Sequence, residues 1–160
     1  MVDGKSLEVL KRLIDELEGK DIEWAVVGSM ALALRGAPLD PHDIDIMTDR
    51  AGAYEIERLF SKYVTRRVAL RSSDKIRSHF GALEIDGMKI EIMGEFQHRR
   101  EDGGWDEPPD LRALRQTIMV EGMRIPVPRL DWSRESYRRI GRPERVAMID
   151  ELIHKGASSL

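Results

Sequence analysis

Cysteine is absent from the 160 residues of this chain. Disulfide bonds, thiolate metal sites and cysteine nucleophiles are therefore excluded. A long apolar run is also missing, because Gly28 and Ser29 interrupt the longest one, at residues 24–34, and a membrane-spanning helix needs roughly 20 apolar residues. The charged N-terminal segment has no apolar core like that of a signal peptide. These absences predict a cytoplasmic protein that does not enter a membrane.

An excess of positive charge is missing as well. The formal net charge is −3 and the isoelectric point is about 5.9, so binding to long nucleic acids is not favoured. What is present is the composition of a soluble globular protein, with 41% apolar and 34% charged residues. We expect one domain spanning 1–160, with a core at about 20–95 and a C-terminal hairpin and helices at about 111–156.

Hydrophobic spacing predicts the elements of the N-terminal half. A helix that ends at Gly19 comes first, a second helix starts directly after the glycine that closes the first strand, and Asp49 is placed to cap a third. The predicted elements are a helix at 6–18, a strand at Trp24–Val27, a helix at 29–34, a strand at 44–47, a helix at 50–60 and a strand at 64–70.

Two β-hairpins are predicted in the C-terminal half. The run FGALEIDGMKIEIMG turns at Asp86-Gly87, the preferred residue pair for a type I′ turn, and TIMVEGMRIPVP turns at Glu121-Gly122. A polar loop at 97–110 separates the hairpins, and the remainder is helical with one break. This order predicts an α/β (α+β) domain with a mixed β-sheet flanked by helices and a C-terminal helical segment.

Acidic residues interrupt two of the predicted strands. Asp43 and Asp45 alternate with isoleucines, and Glu91 stands between isoleucines in KIEIMG. Side chains two apart on a strand share a face, so three carboxylates converge if the two strands are neighbours. Such like charges destabilise a sheet unless a cation neutralises them, and a hard divalent ion such as Mg²⁺ prefers these oxygen ligands. The alternative interpretation is three solvent-facing acids on amphipathic strands.

Gly28 and Ser29 join the first strand to a helix. A strand that leads directly into a helix presents free backbone N–H groups to an anion. Gly28 lets a phosphate approach closely, and the Ser29 hydroxyl can donate a further hydrogen bond. The alternative interpretation is a tight turn in which Ser29 is only the N-cap of the helix.

Together these motifs resemble the polymerase-β-like nucleotidyltransferase superfamily, and its small minimal nucleotidyltransferases in particular. The resemblance rests on Gly28-Ser29, on Asp43-Ile44-Asp45-Ile46 and on Glu91 in an apolar strand, and extends more loosely into IGRPERVAMIDEL. Many small transferases of this type carry Lys-Asp where this chain has Glu144-Arg145.

The resemblance implies a nucleotidyltransferase-like fold and a magnesium-dependent enzyme. Such an enzyme moves a nucleoside monophosphate from an NTP to a hydroxyl acceptor and releases pyrophosphate. It implies that Asp43, Asp45 and Glu91 are the catalytic residues and hold two Mg²⁺ ions, for which Mn²⁺ can substitute. It also implies that Gly28 and Ser29 bind the β- and γ-phosphates.

Further nucleotide-binding candidates are basic. His42 precedes the acidic pair and is placed to contact phosphate or acceptor, while Lys75 and Arg77 can neutralise the triphosphate. A solvated charged surface is the alternative for each. The same alternative is the default for three arginines at helical spacing, and the loop at 97–110 is either a lid over the acceptor or an ordinary loop. The three arginines are Arg134, Arg138 and Arg142.

Two other functions compete with nucleotidyl transfer. One is a non-catalytic nucleotide-binding module, for instance half of a toxin–antitoxin pair. The other is a metal-dependent phosphohydrolase, although the four histidines show no ligand spacing. The acceptor is left open between a small molecule such as an aminoglycoside-like drug, an RNA end and a protein hydroxyl. One flank of the site is expected to be open, so that a second copy of the chain or a partner protein could complete it.

Overall fold

Helices and strands alternate in the computed structural model, which describes residues 2–156. In this part of the chain there are six α-helices, one short 3₁₀ turn and seven strands. They are α1 (Gly4–Leu17), β1 (Trp24–Val27), α2 (Gly28–Leu34), β2 (Asp43–Thr48), α3 (Arg50–Leu59), the 3₁₀ turn (Ser61–Tyr63), β3 (Val64–Ser72), β4 (Ile76–Ile85), β5 (Met88–His98), α4 (Leu111–Leu114), β6 (Arg115–Val120), β7 (Met123–Pro128), α5 (Leu130–Arg139) and α6 (Pro143–His154).

Five of the strands form one mixed sheet in the order β1-β2-β5-β4-β3. Its neighbours are antiparallel except for β2 and β5, which run parallel. The strands β6 and β7 form a separate antiparallel hairpin. The predicted mixed sheet with flanking helices is therefore confirmed, and its parallel pair β2–β5 carries Asp43, Asp45 and Glu91.

The alternation of isoleucines and charged residues decides which face of the sheet is buried. Ile44, Ile46, Ile90 and Ile92 are fully buried and join the main core with apolar residues of α1, α3 and the β6–β7 hairpin. Their charged neighbours on β2 and β5 consequently point to the opposite face. This opposite face carries the candidate site.

The predicted turns and caps are largely confirmed. Asp86 and Gly87 both have positive φ, at 51° and 79°, as a type I′ turn requires. The second hairpin turns in the same way at Glu121-Gly122. The side chain of Asp49 accepts a hydrogen bond of 2.6 Å from the Gly52 amide at the start of α3.

Several predicted boundaries were shifted by one or two residues, and two of these shifts have a clear cause. α1 begins at Gly4 rather than at residue 6, because the side chain of Asp3 caps it through the Ser6 amide at 2.7 Å. The loop predicted at 97–110 begins only after His98, since β5 stays paired with β4 up to that residue. In the described part of the chain, no helix is long and apolar enough to cross a membrane.

Candidate functional site

The three predicted catalytic carboxylates lie on one face of the sheet. In the parallel pair β2–β5, Asp45 is directly opposite Glu91, and Asp43 is directly opposite Lys89. Directly opposed residues point to the same side of a sheet, so the convergence that the sequence predicted is found. A Glu91 side chain on the opposite face would have separated the acids, and the register excludes that arrangement.

Asp45 is the least solvated of the three. Burial, followed by the nearby charges of Glu91 and Asp43, raises the pKa of Asp45 to about 7, and Lys89 acts in the opposite direction. A carboxyl group in this setting is ionised at neutral pH only at a cost in free energy, unless a cation lies close to it. The structure therefore concentrates negative charge at a place where the protein solvates it poorly.

Lys89 is the basic residue nearest to this charge among the described ion pairs. Its Nζ lies 4.0 Å from Asp43 Oδ2 and 3.8 Å from Glu91 Oε1. The sequence analysis missed Lys89, although its position two residues before Glu91 was a usable signal. Residues at that spacing share a strand face.

The acidic residues of the site suit a divalent metal by their chemistry. Within residues 2–156, no three His, Cys, Asp or Glu side chains are grouped closely enough to hold a metal ion. The donor chemistry is nevertheless suitable, because carboxylate oxygens are what Mg²⁺ prefers and Asp45 is buried beside two like charges. The side chains of Asp43 and Glu91 are 50% and 26% exposed, so both have room to reorient towards a cation.

Gly28 packs directly against Asp45. Its φ of +68° is in the left-handed region, and a Cβ at this position would lie only 2.6 Å from Asp45 Oδ2. Glycine is thus required twice, for its backbone conformation and for the close approach. The helix α2 begins here, and its N-cap is Val27, without a side-chain cap. The interpretation of Ser29 as the N-cap was therefore wrong, because Ser29 already lies within the first helical turn.

Two cavities meet at Asp45 and Ser29. The first, here called the aromatic cavity, has a volume of about 230 Å³ and lies between the sheet and α5. Besides Asp45, Gly28 and Ser29, its lining includes Met47, Met93, Phe96, Trp132, Tyr137 and Arg142. Burial raises the pKa of Tyr137, which is consistent with an enclosed position of its ring.

The second, here called the polar cavity, has a volume of about 310 Å³ and lies beside β2 and the segment before it. It is lined by Ser29, His42, Asp43, Asp45 and Arg145, with Asp40 and apolar residues at its border. A larger groove of about 820 Å³ lies between α1 and the β6–β7 hairpin. None of the predicted site residues lines that groove.

Arg145 brings positive charge to the polar cavity. Among the described residues its buried Nε has no hydrogen-bond partner, and its Nη1 lies 3.8 Å from the soft Sδ of Met148. A buried guanidinium N–H that lacks a partner is costly, and the Arg145 side chain borders a cavity of a size that can hold an anion. Sequence reasoning missed Arg145 because the resemblance breaks down at Glu144-Arg145.

The basic candidates are only partly brought to the site. His42 lines the polar cavity. Lys75 and Arg77 line neither cavity: Lys75 is exposed before β4, and Arg77 stacks on Trp105 at 4.8 Å and donates to Gln97. Neither residue is placed beside the cavities, so their role as nucleotide ligands stays a prediction.

The interpretation of the three C-terminal arginines as a solvated charged surface was right for two of them. Arg134 pairs with Asp150, and Arg138 pairs with Glu135. Arg142 also pairs with Glu144, but it lines the aromatic cavity. It therefore borders the same cavity as Asp45.

The polar loop after β5 is tethered at several points. The Trp105 ring lies beneath the guanidinium groups of Arg77 and Arg99, at 4.8 and 4.1 Å. Asp106 forms an ion pair with Arg139 of α5, and its amide donates to the His98 carbonyl at 2.9 Å. The loop is therefore fastened to β4 and α5.

Comparisons with known proteins agree with one another. A family profile described as aminoglycoside-2″-adenylyltransferase matches residues 9–152. A protein of Thermotoga maritima assigned to the nucleotidyltransferases is 42% identical, with 97% of this chain and 96% of that chain covered and a TM-score of 0.85. No curated protein matches the chain significantly.

Two antibiotic adenylyltransferases are similar in fold alone. The lincosamide adenylyltransferase LnuA, solved with lincomycin, has a TM-score of 0.58 at 11% identity, with 94% of this chain and 98% of that chain covered. ANT(2″)-Ia, solved with adenylyl-2″-tobramycin, has a TM-score of 0.55 at 9% identity, with 96% and 99% covered.

Proposed function

Because the chain belongs to the aminoglycoside-2″-adenylyltransferase family and thus to the nucleotidyltransferases, we propose that it transfers a nucleoside monophosphate from an NTP to a hydroxyl acceptor. The observation that carries this proposal is the pairing of Asp45 with Glu91 across β2–β5, with Asp43 on the same face. All three acids of the superfamily pattern are thus present on one face of the sheet. This argues against the non-catalytic nucleotide-binding module, and no observation favours the toxin–antitoxin setting.

Asp43, Asp45 and Glu91 would hold Mg²⁺, or Mn²⁺ in its place. The metal would supply positive charge at the α-phosphate and at the acceptor oxygen. The acceptor oxygen forms a bond to the α-phosphorus, the bond between that phosphorus and the α–β bridging oxygen breaks, and pyrophosphate leaves with the electron pair. Glu91 lies on the acceptor side and takes up the hydroxyl proton. Most of the rate enhancement then comes from positioning and charge neutralisation.

The polar cavity is the proposed site of the pyrophosphate portion of the NTP. Ser29 donates its hydroxyl there, and Arg145 brings a positively charged guanidinium group to the same cavity. His42 lies at the border of the same cavity. Charge-assisted hydrogen bonds to phosphate are stronger than neutral ones, so Ser29 and Arg145 are expected to contribute most.

The acceptor is proposed to be a small hydroxyl-bearing molecule held against the aromatic cavity. Family membership points towards an antibiotic of the kind that the relatives modify. The cavity itself is lined mainly by apolar and aromatic side chains, with Asp45 as its acidic residue. This lining favours an acceptor with an apolar face over one that carries many positive charges.

The test is incubation with α-labelled NTPs and Mg²⁺ in the presence of different acceptors. Tobramycin, lincomycin, a short RNA with a free 3′ hydroxyl and a hydroxyl-rich protein represent the acceptor classes. Transfer of label to one class, with stoichiometric pyrophosphate, is the expected result. Glu91→Gln should abolish transfer. Glu16→Gln, the same change at an exposed position on α1, should not affect it.

Two outcomes would contradict the proposal. Binding of NTP without label transfer or pyrophosphate release in any mixture would favour a non-catalytic module. Release of inorganic phosphate with no labelled acceptor would favour the phosphohydrolase.

A further inference from the structure

Lys89 lies among the three carboxylates without having been assigned a role. It is directly opposite Asp43 on the neighbouring strand and two residues before Glu91. Its Nζ is 4.0 Å from Asp43 Oδ2 and 3.8 Å from Glu91 Oε1. Among the ion pairs of the described residues, these are the ones that involve Asp43 or Glu91.

The distances show a loose ion pair rather than a fixed one. Both lie at the upper end of the range for ion pairs, and the Lys89 side chain is 52% exposed. Lysine is a compact point charge on a flexible stem of four carbons. Its ammonium group can therefore leave the carboxylates at little conformational cost, which a rigid bidentate arginine could not do.

Lys89 and a bound metal ion would interact with the same carboxylates. A divalent cation held by the three carboxylates must have Asp43 and Glu91 as ligands, and these are the two groups that contact the ammonium. An ammonium group and a metal ion repel each other at such short range. Binding of one cation at Asp43 and Glu91 therefore weakens the binding of the other.

We propose that Lys89 is an internal counter-ion that neutralises Asp43 and Glu91 in the metal-free protein and competes with the divalent metal for them. This inference rests on the proposed function, because it takes the same carboxylates as the metal ligands. It follows that the metal binds weakly on its own and strongly together with an NTP. The triphosphate brings a cation with it and offers the displaced ammonium a new anionic partner, so that metal and nucleotide bind cooperatively.

The first test measures binding of Mn²⁺ alone, by electron paramagnetic resonance, to wild type and three variants. Lys89→Met removes the charge at nearly constant length and should bind Mn²⁺ at least tenfold more tightly than wild type. Lys89→Arg keeps the charge and should bind Mn²⁺ no more tightly than wild type. Lys11→Met is the matched control, because Lys11 forms an exposed ion pair with Asp15 on α1, and it should leave Mn²⁺ affinity unchanged.

The second test uses the wild-type protein and thus does not depend on the folding of a variant. Amine-reactive labelling followed by mass spectrometry reports how accessible each lysine is. The labelling rate of Lys89 should rise when saturating Mn²⁺ replaces chelator, while that of Lys11 stays constant. An unchanged Lys89 rate in the Mn²⁺-saturated protein would overturn the proposal.

Failure of this inference can be distinguished from failure of the proposed function. If wild type binds Mn²⁺ with an NTP but Lys89→Met binds Mn²⁺ alone no more tightly than wild type, Lys89 is not a competitor and only this inference fails. A Lys89→Met variant that loses affinity for Mn²⁺-NTP, without any gain for Mn²⁺, would make Lys89 a phosphate ligand instead. If wild type binds no Mn²⁺ with or without NTP, the metal-dependent function itself is wrong.

Discussion

At Ser29 the structure separates a structural role from a functional one. An N-cap serine replaced by alanine costs about 1 kcal/mol of stability, but the N-cap of α2 is Val27. We therefore expect Ser29→Ala to leave the free energy of unfolding nearly unchanged. Loss of a hydrogen bond to a charged phosphate, worth roughly 1.5–3 kcal/mol, should lower NTP affinity about tenfold or more. Calorimetric titration with NTP and with the bare nucleoside checks this, and the nucleoside should bind as before.

Replacement of Gly28 tests its close packing against Asp45. Gly28→Ala places a methyl group 2.6 Å from Asp45 Oδ2 at a φ of +68°, and should destabilise the protein by about 1–3 kcal/mol. Gly19→Ala is the matched control, because it has a similar φ of +77° and open space around it. Urea unfolding of both variants isolates the clash with Asp45. Equal losses of stability would mean that only the backbone conformation matters.

Removal of the charge on Asp45 is expected to stabilise the protein. Its pKa is raised to about 7 by burial and by the neighbouring acids, so its ionised form is less favourable in the folded chain than in the unfolded one. At pH 8 the group is ionised in both states, and the whole cost is present. Asp45→Asn should therefore raise the free energy of unfolding in chelator at pH 8 and abolish nucleotidyl transfer. A less stable Asp45→Asn protein would contradict this electrostatic account.

At the scale of the elements, His98 joins the end of β5 to α5. Its Nε2 lies 2.8 Å from Ser136 Oγ, and its ring contacts Trp132 of the aromatic cavity. Burial, with a smaller contribution from Arg139, lowers the pKa of His98. The fold thus favours neutral His98.

The sign of the pH dependence follows from this lowered pKa. The unfolded chain binds a proton at His98 near pH 6.5, before the folded chain does, so stability is fully present above that pH. It is lost as the pH falls below 6.5 towards the folded pKa. The loss should appear as the difference between wild type and His98→Gln in urea unfolding from pH 7.5 to 5, because Asp45, whose pKa is raised to about 7, contributes with the opposite sign in both proteins. His79 should contribute to the remaining change of the free energy of unfolding with pH, because burial lowers the pKa of His79 as well. An unchanged slope in His98→Gln would assign the whole effect to other groups.

At the scale of the whole molecule, ligand binding should increase the free energy of unfolding. A ligand at 100 times its dissociation constant adds roughly 2.7 kcal/mol to the free energy of unfolding. We expect Mg²⁺ with NTP to raise the melting temperature clearly and NTP with chelator to raise it much less. Differential scanning fluorimetry measures both shifts. Equal shifts with and without metal would show that the nucleotide binds independently of the carboxylates.

The order of the elements and the face carried by each acid could be predicted because both depend on neighbours in sequence. In a strand, side chains alternate between faces, so Asp43 and Asp45 had to share a face wherever the strand was placed. The Asp86-Gly87 turn was predictable for the same reason, since positive φ at both positions is a local requirement. Boundaries were less certain. The first turn of α1 depends on its cap, Asp3, and the end of β5 depends on its pairing with β4.

What the sequence determined by itself is therefore the set of chemical groups and their local orientation. Only the tertiary structure decided that β2 and β5 pair in parallel with Asp45 opposite Glu91, and that Arg145 of α6 reaches the same cavity as Ser29. The register of strands far apart in the chain is set by burial of the isoleucines on the other face, to which many distant elements contribute. Lys89 illustrates the same point, because its spacing from Glu91 is visible in the sequence, whereas its contact with Asp43 exists only once the two strands are paired.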